Sequence, residues 1–384
     1  MFKALIVHVI AVPIFAVQLL LAIPAEGWRF AWKRIPLFLL IWLLFSLLNL
    51  IHLLGHIADE LLFFGYRKKL LEKPVFILGI PRSGTTHLQR LLSKDNNFTT
   101  LSTWEALLAP SISEKHIYHG LGWLLHPLYR PLENLILVLP RKLFNTMDTI
   151  HKLRLQEPEE DFLLLLPVLA CLLPAFICPQ SNHYWKLAYF DSKLSPRFRK
   201  FVLEFYTICL KKHVYFANSN SRLLSKNPSL TSWTESLLAH FPDARIIACS
   251  RPPKETIPSQ LSSLSPAMAM LAAGNLNPKT QITMIELLYS YYLQLGKFQH
   301  NKRVFVLPMS KLQSQLKLTI EKLYSFLATQ PSEQFMNTVE HFEVQSRNYS
   351  SAHQYNLASF SLTEDVIHEK FHDVWPLNIQ ETGQ

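Results

Sequence analysis

Residues 73–88, Lys-Pro-Val-Phe-Ile-Leu-Gly-Ile-Pro-Arg-Ser-Gly-Thr-Thr-His-Leu, constrain the fold more than any other stretch of this chain. Val75–Leu78 form a short apolar run of β-branched and aromatic type, the composition of a buried strand. Gly79, Pro81 and Gly84 interrupt it, and Leu88, Leu91 and Leu92 then recur at helical spacing, so a helix is expected from about Thr85. Strand, glycine-containing loop and helix start make an anion cradle: loop N–H groups converge and the helix N-terminus adds positive potential. Thr85 and Thr86 contribute hydroxyl donors.

Gly79 and Gly84 have the spacing of a Walker A loop, but Thr85 stands where that loop needs its lysine. The cation precedes the second glycine, as Arg82. This favours a ligand with one terminal phosphate in the loop over a nucleoside triphosphate with magnesium. A second buried strand, Ala244–Ser250, ends in Arg251-Pro-Pro-Lys-Glu-Thr-Ile-Pro-Ser259. Arginine offers a planar, permanently charged donor fork to a phosphate, and a serine two turns into the next helix can return to the same anion.

The segment Pro81-Arg-Ser-Gly-Thr-Thr86 resembles the 5′-phosphosulfate loop of the sulfotransferases, in the branch that includes tyrosylprotein sulfotransferases and bacterial membrane-associated relatives. The strand-end arginine with a serine eight residues later, here Arg251 and Ser259, is similar to that family's 3′-phosphate contact. The family's usual Asp-Pro after the arginine is Pro252-Pro253 here, which puts the local turn rather than the contact in doubt. The resemblance implies 3′-phosphoadenosine-5′-phosphosulfate (PAPS) as co-substrate, contacted by Arg82, Ser83, Gly84, Thr85, Thr86, His87, Arg251 and Ser259. It also implies Glu105 as general base, and Lys226 with Arg82 as the cations that hold charge on the moving group. Arg347, Ser350 and Tyr355, around a His353-x-Tyr355 core, are further nucleotide contacts by the same resemblance.

The residues allow plainer readings of some of these. Ser102 or Thr103 as N-cap with Glu105 in the first turn is ordinary helix capping. Gln156-Glu-Pro-Glu-Glu-Asp161 reads first as a helix start, with Pro158 in the first turn and acids near the N-terminus, and second as an acceptor contact. The 16 histidines are scattered without metal-ligand spacing, so no metal is expected.

Strands near 75–79, 222–225, 244–249 and 303–307 alternate with helices near 85–94, 197–212, 230–240, 254–264, 282–297 and 314–328. That alternation implies an α/β fold, a P-loop-like parallel sheet flanked by helices. Ahead of it, Ile35–Leu54 carries no formal charge over twenty residues, long enough to cross a bilayer, and Ala4–Pro24 is of similar length but broken by His8, Pro13 and Gln18. A helical hairpin in or on the membrane, integral to it, is expected, the alternative being one span plus an interfacial helix. The expected division is residues 1–72 as membrane-anchoring helices and 73–384 as the catalytic domain. The insert 105–196 is aromatic and leucine-rich; Phe162–Leu166 and Leu169–Ile177, broken by Pro167 and Pro174, are expected as a buried or membrane-dipping helical pair shaping an acceptor pocket.

The net charge of +10 fits membrane contact and a multiply anionic co-substrate, while the absence of a basic stripe with interleaved aromatics argues against nucleic acid. Basic clusters both between the apolar segments (Arg29, Lys33, Arg34) and after them (Arg67, Lys68, Lys69, Lys73) leave orientation open. Four cysteines without a disulfide pattern, and sequons at Asn97 and Asn348 beside the expected site, lean towards a catalytic face in the cytosol. The expected protein is a membrane-anchored sulfotransferase acting on a small-molecule or lipid-like hydroxyl. The alternatives are an ATP-dependent P-loop phosphotransferase, or a non-catalytic membrane protein that keeps the fold. Nothing in the sequence sets the oligomeric state.

Overall fold

The computed structural model describes residues 2–24, 28–124, 155–218, 220–272, 277–347 and 357–377. Its principal elements are α1 (Phe2–Ala22), α2 (Trp28–Leu62), β1 (Val75–Gly79), α3 (Thr85–Leu92), β2 (Phe98–Thr99), α4 (Thr103–Leu107), α5 (Ile112–Leu124), α6 (Pro196–Ala217), β3 (Arg222–Lys226), α7 (Thr234–His240), β4 (Arg245–Ser250), α8 (Pro253–Ala272), α9 (Pro278–Phe298), β5 (Val304–Pro308), α10 (Leu316–Leu327), α11 (Glu333–Arg347) and α12 (Glu364–Phe371). They fall into two compact units, one of residues 1–71, 101–219 and 263–280, the other of 72–100, 220–262 and 281–384.

The second unit holds the sheet. Its order is β2-β3-β1-β4-β5, and every pairing is parallel. All five residues of β1 are buried, as a central strand covered on both faces requires. Val75, Ile77 and Ile247 of the sheet pack with Leu88 and Leu91 of α3 and Ile320 of α10 in one core. β1 lies between β3 and β4, with Ile77 level with Lys226 and Gly79 level with Cys249. The carboxyl ends of these three strands are therefore neighbours, the place where open parallel sheets bind ligands.

The expected strands are present to within a residue. β2 was outside the sequence expectation because two residues carry no alternation to read. The helix expected over 230–240 begins as a 3-10 turn, Pro228–Trp233, since Asn227 and Pro228 start it early. The helix expected over 314–328 is α10, and a short helix the sequence expectation did not include, Met309–Ser314, precedes it across Gln315.

In the first unit, α1 and α2 form an antiparallel pair that packs on the insert rather than standing alone. By length and composition both are apolar enough to cross a membrane, with mean hydropathy 2.5 over Lys3–Ala22 and over Arg34–Leu62. The leucine-rich stretch of the insert is a 3-10 helix, Asp161–Val168, and a short helix, Leu173–Ile177; Leu169 between them takes a positive φ of 53°. Pro158 is not in a helix: it makes an isolated antiparallel bridge to Ser102, and the helical turn starts only at Asp161. Asp161 is buried and accepts from the hydroxyl of Tyr206 at 2.7 Å, so the end of the acidic run serves packing.

Candidate active site

The loop after β1 is shaped by two glycines for different reasons. At Gly79 (φ 115°) an added Cβ would lie 2.1 Å from the carbonyl oxygen of Cys249, so the approach of β4 admits no side chain. At Gly84 (φ 87°) there is room for a Cβ, and the left-handed backbone is what requires glycine. Arg82 also sits at positive φ, 66°, a conformation that non-glycine residues adopt rarely. The loop is held by Thr231, whose hydroxyl accepts from Gly79 N–H at 2.8 Å and donates to the Gly79 carbonyl at 2.7 Å. Ser83 Oγ donates back to the carbonyl of Ile80 at 2.5 Å. Gly84 is the N-cap of α3, so Thr85 and Thr86 open its first turn, Thr85 buried and Thr86 half-buried. His87 follows them and is exposed.

The second motif meets this loop. Arg82 Nε donates to Ser259 Oγ at 3.2 Å, and Arg251 Nη1 donates to the carbonyl of Arg82 at 3.1 Å. Pro253 starts α8, which places Ser259 in its second turn, as the spacing predicts. Arg251 Nε also donates to Glu255 at 3.0 Å, so the anionic partner within the motif comes one turn later than the family's aspartate. Tyr292 fixes this corner by donating to the Arg251 carbonyl at 2.5 Å; burial pushes its phenol well above the usual value.

Lys226 ends β3 and is buried, with Asn227 directly after it. Among the described residues, the side-chain amide nitrogen of Asn227 and the hydroxyl of Ser250 are buried without a hydrogen-bond partner. Both stand at the carboxyl ends of strands flanking β1. Unsatisfied buried polar atoms beside two arginines and a lysine fit a polar, anionic ligand at this edge of the sheet.

Glu105 belongs to the other unit, at the third position of α4. Its Oε2 accepts from the N–H and the hydroxyl of Ser102, both at 3.0 Å, the capping-box arrangement. Its Oε1 accepts from Lys115 Nζ at 3.0 Å and meets His213 Nδ1 at 2.9 Å. Lys115 and His213 are both buried. Burial alone would raise the carboxyl's pKa, but the charges of Lys115 and His213 outweigh it and hold Glu105 well below the usual carboxylate range. The backbone of the acidic run lies alongside, with Thr103 N–H donating to the Glu157 carbonyl and Glu159 N–H to that of Leu101.

Residues 74–333 match the model of the Sulfotransferase family. This chain belongs to that family. Among solved structures, sulfotransferase STF1 from Mycobacterium tuberculosis H37Rv superposes with a TM-score of 0.62 at 17% identity, covering 87% of this chain and 85% of that one. Sulfotransferase STF9 from Mycobacterium avium gives 0.60 at 16%, covering 86% and 83%. At those identities the likeness is one of fold. No match was found among curated proteins.

The sulfotransferase thus joins Arg82, Ser83, Gly84, Thr85, Thr86, Arg251 and Ser259 in one unit, with Lys226 on the neighbouring strand end, and carries Glu105 in the other. Ser350 and Tyr355 lie outside the described residues, as does the side chain of Arg347. Sequence reasoning missed Thr231, Tyr292, Lys115 and His213. Each acts through a partner on another element, and no local pattern marks such residues. Among the described residues no three His, Cys, Asp or Glu side chains are arranged to hold a metal ion.

Proposed function

We propose that this sulfotransferase moves a sulfuryl group from PAPS to the hydroxyl of an amphipathic acceptor. The observation that carries the reading is the meeting of Arg82, Arg251 and Ser259, brought together from positions 169 and 177 residues apart. Two guanidinium groups and a hydroxyl suit a nucleotide that is anionic at both its 5′ and 3′ positions. The loop Arg82–Thr86 takes the 5′ end, and Arg251 with Ser259 takes the 3′-phosphate. His87 is placed with the loop as a further contact.

In the reaction, the bond from sulfur to the bridging phosphate oxygen breaks as one to the acceptor oxygen forms. Arg82 and Lys226 neutralise charge on the moving group and on the departing phosphate, which is where preorganised cations contribute most. Glu105 takes the acceptor proton. Lys115 and His213 hold it ionised, so it carries no proton of its own. The products are a sulfate ester and adenosine 3′,5′-bisphosphate. The acceptor class rests on the exposed leucines and isoleucines of α1 and α2, which favour a lipid-like hydroxyl, and the catalytic region is taken to face the cytosol.

The test is a thermal shift of detergent-purified protein with adenosine 3′,5′-bisphosphate against adenosine 5′-phosphate. Selective stabilisation by the bisphosphate, lost in Arg251→Ala, is expected. Equal response to both nucleotides overturns the donor assignment. A labelled-sulfate screen then compares lipid hydroxyls with soluble sugars and peptides; preference for the soluble acceptors overturns the acceptor class.

A further inference from the structure

α1 and α2 each bury one stripe. On α1 it is Ala4, His8, Ala11, Phe15 and Leu19; on α2 it continues through Asn49, His52, His56 and Asp59. The polar members of the α2 stripe all find partners within this unit. Asn49 bonds His8 at 2.7 Å and the Pro167 carbonyl at 2.9 Å, and His52 bonds Glu114 at 2.6 Å. His56 bonds Lys212 at 2.8 Å. Asp59 accepts from Lys212 at 2.9 Å and from the N–H groups of Ile112 and Ser113 at the start of α5. The buried face of the carboxyl half of α2 is therefore a polar seam against a charged part of the insert.

The opposite face of both helices is different. Leu43, Leu47, Leu50, Leu54 and Leu61 are each at least half exposed, and the apolar face runs the length of α2. An exposed apolar patch of that extent marks a contact surface. Just beyond α2, Phe64 and Leu70 are exposed at 63% and 69%, with exposed Arg67 and Lys68 between them. Large apolar groups interleaved with cations suit the boundary between acyl chains and anionic head groups.

The dimensions oppose a simple crossing. α2 has 35 residues, about 52 Å at ~1.5 Å per residue, against a hydrocarbon core of about 30 Å. Were its second half to cross, Glu114 and Lys115 of the packed insert and Lys212 of α6 would travel to membrane depth with it. We infer that the α1–α2 pair lies in the plane of one leaflet, its leucine face submerged and its polar seam carrying the insert, so that the protein is monotopic. This refines the membrane-anchored reading given above. Arg34 Nη1 supports it at the turn: it folds back on the carbonyl of Ala22 at 3.3 Å, closing the end of the pair on itself.

The experiment uses the full chain in native membranes. Cysteines are introduced singly, Pro24→Cys at the turn and Lys200→Cys on α6, and probed with a membrane-impermeant maleimide from either side; the four native cysteines are buried. Labelling of both from the same side is expected. Labelling of the turn only from the side opposite Lys200→Cys establishes a crossing hairpin and overturns the inference. A second arm floats purified protein with phosphatidylcholine–phosphatidylglycerol vesicles. Flotation at least tenfold weaker for Leu43→Asp/Leu47→Asp/Leu50→Asp, with an unchanged melting temperature in detergent, is expected. A discrete dimer that does not float shows the leucine face covered by a second copy, which also overturns it. Neither arm depends on the donor assignment, so failure here is distinguishable from failure of the proposed reaction.

Discussion

Arg82 Nε lies 3.2 Å from Ser259 Oγ, a hydrogen bond between residues 177 apart in the chain. It joins the loop after β1 to the second turn of α8, the two segments assigned above to the nucleotide's phosphates. Arg251 completes it by holding the Arg82 carbonyl while its own carbonyl is held by Tyr292.

Because Arg251 and Ser259 are assigned to the 3′-phosphate, their removal is expected to lower affinity for adenosine 3′,5′-bisphosphate and not for adenosine 5′-phosphate. A hydrogen bond to a charged group contributes about 1.5–3 kcal/mol, so Arg251→Ala should weaken binding by roughly 10- to 100-fold. Isothermal titration with both nucleotides reads the difference. An equal loss for both would assign Arg251 to loop structure alone.

Lys226 is buried at the end of β3, level with Ile77 of β1. In the proposed role, as a cation for the departing phosphate, it would act mainly in the transition state. Lys226→Met is expected to lower kcat by about 100- to 1,000-fold, with nucleotide affinity changed only a few-fold. A Kd that collapses while kcat survives would make it a ground-state contact instead.

Glu105 separates two roles that its position combines. Glu105→Gln keeps the length and one acceptor oxygen for the capping box but cannot take a proton. If Glu105 is the base, kcat measured below the variant's melting temperature falls by about 100-fold or more. Full activity would leave it as the cap of α4 and counter-ion of Lys115.

Acid should destabilise the protein through the same group. Burial opposes ionisation of Glu105 and Glu114, yet Lys115 and His213 for the first, and the hydrogen bonds of His52 and Ser111 for the second, bring both below the usual carboxylate value. A folded pKa below the unfolded one gives stability that is fully present above about pH 4.3 and lost as pH falls through the folded values. Thermal melts between pH 7 and pH 3 should therefore decline on the acid side of that value, and Glu105→Gln should flatten part of the slope. Loss already complete at pH 5 would contradict the lowered values.

Asp59 and Lys212 are fully buried and paired at 2.9 Å. Removing one partner leaves a buried charge, at a cost of about 3–5 kcal/mol. Asp59→Ala should lower the melting temperature clearly, and adding Lys212→Met should restore most of it. No restoration would place the cost at the start of α5, where Asp59 also accepts two N–H groups.

Much of this was legible in the chain. The apolar runs around Val75, Leu223, Ile246 and Val304 announced the parallel strands, because a strand buried on both faces has no polar alternation to hide. Gly79 and Gly84 announced the loop, because one close approach and one left-handed backbone admit nothing else. The spacing of Arg251 and Ser259 announced that the serine would stand in the second turn of the helix after β4, since local helix geometry fixes it. What the tertiary structure alone decided are the pairings between different elements: Arg82 with Ser259, Glu105 with Lys115 and His213, and Asp59 with Lys212. A residue that acts through a partner on another element has no periodicity of its own. The histidines and the aspartate of α2 therefore gained a role only when folding gave each its partner.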